Sequence, residues 1–67
     1  MKTVYNEQLT GSATVTVNEH GPDDCDIILA IGDTVKRVGS GTRLSCIRLA
    51  EKAKANPREF MRFIGMN

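Results

Sequence analysis

With 67 residues, 40% of them hydrophobic and 25% charged, the chain has material for one domain with a single core. At that size burial barely outweighs chain entropy, so a homodimer is among the expectations. A net charge of +1 speaks against a generic polyanion binder, and Cys25 and Cys46, far apart and without a Cys-x-x-Cys spacing, indicate neither a disulfide framework nor a zinc motif. They read as buried reduced thiols, and with neither a run of about 18 apolar residues nor a secretory-type start in residues 1–8, the chain is expected to be cytoplasmic and not membrane-bound.

In chain order, Thr3-Val4-Tyr5 could add a short first strand. Ala13-Thr14-Val15-Thr16-Val17 alternates strictly, which puts Ala13, Val15 and Val17 on one face of a half-buried strand. The segment Glu19-His20-Gly21-Pro22-Asp23-Asp24 has turn composition and reads as a loop. Cys25 to Ile31 is apolar on both faces and rich in β-branched residues, as the central strand of a sheet should be. Gly32-Asp33 suits a two-residue primed turn into Thr34-Val35-Lys36-Arg37-Val38. There Val35 and Val38 have opposite parity, and the Lys36-Arg37 pair suits a protected edge.

From Thr42 the period becomes helical, with Cys46, Leu49, Ala50 and Ala53 on one stripe, Ile47 beside them, and Ser45, Arg48 and Lys52 opposite. Asn56-Pro57 breaks that pattern: Asn is a preferred N-cap, Pro is accepted at the first helical position, and Glu59 completes a variant capping box. A second helix is predicted from Pro57 to about Ile64, closed by a Gly65–Met66 C-cap. Its Phe60, Phe63 and Ile64, with Met61 nearby, should close the core or meet a partner subunit. The predicted fold is α+β: a small antiparallel sheet of three to four strands, one longer helix and a short C-terminal helix.

Charge divides along the chain. Residues 1–34 carry one lysine against six carboxylates, and residues 35–67 carry eight cations against two glutamates. Three segments follow as candidate sites. The first is a basic surface of Lys36, Arg37, Arg43, Arg48, Lys52, Arg58 and Arg62, in which the i, i+4 pairs Arg48/Lys52 and Arg58/Arg62 repel weakly; an anionic partner would offset that, and an ordinary solvated face accounts for it equally well. The second is an acidic loop holding Asp23, Asp24 and Asp26 near His20, short of a calcium or zinc ligand set. The third is the junction Gly39-Ser40-Gly41-Thr42, a candidate anion site at a helix start. It lacks both P-loop and dinucleotide signatures, and its plainer reading is a turn capped by Thr42 or Ser40.

No nucleophile signature occurs and the single histidine lies in a turn-rich segment, so no enzyme activity, cofactor or metal is expected. The expected function is a non-enzymatic macromolecular binding module, a small protein-binding regulator or inhibitor working through complementary charge. The competing expectation is a nucleic-acid binder that contacts phosphates through the basic second half. If the charge division survives folding, the molecule has an acidic and a basic pole.

Overall fold

Alternating apolar side chains need a surface to bury against. Ala13, Val15 and Val17 share theirs with Cys25, Ile27 and Leu29 of the next strand, and all six are buried on one face of a sheet. The computed structural model describes residues 2–9 and 11–64, with only the backbone of Ile64. Its elements are β1 (Lys2–Gln8), β2 (Ala13–Gly21), β3 (Asp24–Ile31), β4 (Thr34–Gly41), α1 (Arg43–Ala55) and α2 (Pro57–Ile64). The strands form one antiparallel meander in the order β1-β2-β3-β4, so the fold is α+β with the sheet preceding a longer and a shorter helix. The C-cap expected at Gly65–Met66 lies outside the described residues.

β1 is a full edge strand, longer than Thr3-Val4-Tyr5. Tyr5 stands opposite Val17 and Glu7 opposite Val15, on the side that faces the helices, while Asn6 and Gln8 fall on the other. The segment expected to be a loop at 19–24 is mostly strand. β2 runs to Gly21, which pairs with Asp24, and only Pro22 and Asp23 turn. Proline presets the first turn position, and Asp23 takes φ +58°, a conformation that Asp tolerates better than most residues. At the next hairpin Gly32 supplies φ +58° and Ile31 pairs with Thr34, the two-residue connection that the sequence indicates.

The mismatched parity in β4 is resolved by a bulge. Ile27 pairs with Gly39 and Ile28 with Arg37, so Val38 is the extra residue. Val38 packs on the core while Val35 is left 68% exposed on the opposite face.

α1 buries Cys46, Ala50 and Ala53 against the sheet, with Leu49 partly buried at the margin. Thr42 caps it, its Oγ1 accepting the Ser45 N–H at 3.2 Å. Asn56 then serves both helices. Its N–H donates to Lys52 O at 3.0 Å, closing α1. Its Oδ1 accepts the Glu59 N–H at 3.4 Å and its Nδ2 donates to Glu59 Oε2 at 2.8 Å, opening α2 with the capping box read from the sequence.

Of the two aromatic residues expected to close the core or meet a partner subunit, Phe60 closes the core at 6% exposure and Phe63 is 79% exposed. The helices cover one face of the sheet. β3 is interior in the strand order, yet Ile28 and Ala30 lie on a face that no helix or strand among the described residues covers.

Candidate functional site

Of the basic residues singled out, Arg43, Arg48 and Lys52 are exposed on α1, Arg58 and Arg62 on α2, and Lys36 and Arg37 on β4. The two helical pairs do not share a surface. At about 100° per residue, Arg48 and Lys52 flank the side of α1 toward Leu49, whereas Arg58 and Arg62 sit almost opposite Phe60, on the far side of α2.

Between the helices runs an open groove of about 440 Å³. Leu49, Ala55, Phe60 and Phe63 form its apolar lining, and Lys52, Asn56 and Glu59 its polar rim. Leu49 Cδ2 lies 3.7 Å from where a Gly39 side chain would begin, so the groove opens on the β4 side of α1. Lys36 stands opposite Leu29 on the helix-facing side of that same strand. Of the basic residues singled out, Lys52 lines this groove, and Phe63 on its apolar side is 79% exposed.

The sequence missed this groove because Phe60, Met61, Phe63 and Ile64 fit a single stripe. That stripe spans close to half the circumference of α2, more than a two-turn helix can bury against one neighbour. The surplus was the readable signal.

The acidic set is dispersed. Asp23 occupies the turn, Asp24 is exposed at the start of β3, and Asp26 is half-buried in the strand on the bare face of the sheet. Asp26 Oδ2 pairs with His20 Nε2 at 2.8 Å and its Oδ1 with Arg37 Nη1 at 3.6 Å. Lys54 Nζ meets Glu7 Oε2 at 3.1 Å. Burial pushes the Cys25 thiol above its ordinary range, Glu19, Asp24 and Asp26 add to that shift, and Arg43 opposes it. Carboxylates and a guanidinium therefore share one end of the molecule, and there the expected separation into two poles does not hold.

At the 39–42 junction there is no open loop. β4 continues through Gly39, Ser40 and Gly41 to the capping Thr42. Gly41 has φ +147°, and a side chain there would begin 3.0 Å from Ser45 Oγ, so the glycine serves the tight passage from sheet to helix.

Cys25 and Cys46 face each other across the core, the Cys46 thiol donating to Cys25 O at 3.6 Å. His20 is on the opposite side of the sheet from both. Among the described residues no three of His, Cys, Asp and Glu come together as metal ligands, and no helix is long and apolar enough to cross a membrane. Comparison with protein-family models, with curated proteins and with solved structures found no match.

Proposed function

We propose that this chain is a non-enzymatic protein-binding module, a small regulator or inhibitor that takes an acidic, amphipathic segment of its partner into the groove between α1 and α2. The carrying observation is Phe63, 79% exposed beside Lys52 on an apolar floor. An exposed aromatic next to a half-covered apolar groove is the composition of an interface anchor. Lys52 at the rim, with Arg48 exposed one turn before it on α1, would speed encounter and select an acidic partner more than add affinity. Free, buried thiols accord with a cytoplasmic setting.

The test is NMR titration with a designed helical peptide that alternates leucine and glutamate faces. Shifts should concentrate at Leu49, Lys52, Phe60 and Phe63 and be lost in Phe63→Ser and in the double variant Arg48→Glu, Lys52→Glu. Shifts confined to other surfaces would sink the proposal.

The alternative, phosphate-directed binding of nucleic acid, draws support from the same ring, since an exposed Phe63 beside a lysine could stack on a base. Neutralising about five phosphates on duplex DNA would give a slope of log affinity against log salt near −4.5. Asp23→Lys with Asp24→Lys would leave or improve nucleic-acid binding but weaken a protein interface that also uses the acidic turn.

A further inference from the structure

The face of the sheet away from the helices is read directly from the strand register. One row across it is Asn6, Thr16, Ile28 and Arg37; the next is Gln8, Thr14, Ala30 and Val35; the third is Thr3, Asn18, Asp26 and Ser40. Charge on these rows is confined to Asp26 and Arg37, which pair with each other, and Asp26 also holds His20. The two rows beyond that cluster are neutral apart from Arg37 and rich in β-branched or apolar side chains. A solvated strand face ordinarily alternates to charged and strongly polar residues; here Ile28, Ala30 and Val35 lie side by side.

We propose that this bare face is a homodimer interface, two copies stacking sheet on sheet into a four-layer helix-sheet-sheet-helix sandwich. Three observations select a second copy as the occupant. Because the charged groups on the face are already paired, like faces meet without net repulsion and an unlike, charged partner gains nothing from it.

The size also fits. Four strands of 7 to 9 residues, at about 4.8 Å spacing and about 3.3 Å per residue, give a flat footprint of roughly 500 Å². The side chains standing on it bring the accessible area toward the roughly 800 Å² per partner of a standard interface.

Finally, the register shifts in both edge strands, β1 between Thr3 and Tyr5 and β4 opposite Ile27 and Ile28. Such irregularities oppose pairing edge to edge. Association through the sheet is thereby directed to its face, where two sheets would stack about 10 Å apart.

The proposal is independent of the groove, which lies on the opposite side of the sheet. Sedimentation equilibrium over a concentration series tests it, with circular dichroism confirming that each variant folds. The expected result is twice the chain mass, with Ile28→Glu and, separately, Val35→Glu weakening association roughly 100-fold or more because each carries a charged side chain into the stacked face of both copies. Val35 is so exposed in the single chain that its replacement leaves folding intact. Phe63→Ser should leave the mass unchanged, and Val35→Glu should leave peptide binding in the groove unchanged. A monomer at every concentration overturns the proposal, as does a dimer indifferent to both glutamates or one dissociated by Phe63→Ser.

Discussion

Burial pushes the Cys46 thiol upward, with Cys25 and Asp26 adding to the shift; burial does the same at Cys25 and, more weakly opposed by Lys54, at the Tyr5 hydroxyl. In each case the folded state holds its proton more tightly than the unfolded chain. Their contribution to stability is therefore complete below the ordinary thiol value of about 8.5 and is lost as pH rises through the folded-state values, with Tyr5 joining above about 10. Urea midpoints measured against pH should be flat across this set of groups up to about pH 8.5 and fall beyond it. The Cys25→Ala, Cys46→Ala double variant should move that onset upward. Both thiols should also resist a disulfide-exchange reagent at pH 8 until denaturant is added. Glycines differ at the same scale: Gly41→Ala should destabilise by about 1–3 kcal/mol because it strains φ and crowds Ser45 Oγ, whereas Gly21→Ala, with open space around it, should change stability by less than about 0.5 kcal/mol in thermal unfolding.

Among the elements, the helices rest on two polar side chains. Thr42→Ala and Asn56→Ala should each cost about 1 kcal/mol. Their signatures should differ: Asn56→Ala should raise amide exchange throughout α2, and Thr42→Ala only in the first turn of α1. Those caps were readable because they depend on residues three apart in sequence. So were β2, whose alternation is strict, the Gly32-Asp33 hairpin, and the stripe of Cys46, Leu49, Ala50 and Ala53. β1 is hard to read from sequence because an edge strand has one neighbour and few apolar residues: register puts Glu7 on the inward side, where Lys54 pairs with it. The end of β2 has turn composition, yet cross-strand pairing of Glu19 with Cys25 and Gly21 with Asp24, which composition does not record, holds it extended.

For the whole molecule, what was not readable is how sheet and helices fold linear charge onto surfaces. Asp26 and Arg37 are eleven positions apart and joined by register; Phe63 and Lys52 meet because a single asparagine turns one helix into the next. The linear charge division is broken where strands and helix bring opposite charges together, at Asp26 with Arg37 and at Glu7 with Lys54. Reversing Arg48 and Lys52 should consequently weaken partner capture with little loss of stability, since both are exposed and outside the core. A shift of the urea midpoint as large as that of a core truncation such as Ile27→Ala, worth about 2–5 kcal/mol, would contradict that assignment.

The sheet follows the chain from edge to edge, and the described β2–β3 and β3–β4 turns are two residues long, so each hairpin brings together residues already close in sequence. Such a meander can zip from either hairpin without closing a long loop, which favours acquisition of the monomer fold in milliseconds or faster. Stacking through the bare face is a bimolecular event. A refolding trace should then separate into a first-order phase, unchanged by dilution, and a later phase whose rate rises with protein concentration. Ile28→Glu should abolish the second phase and keep the first.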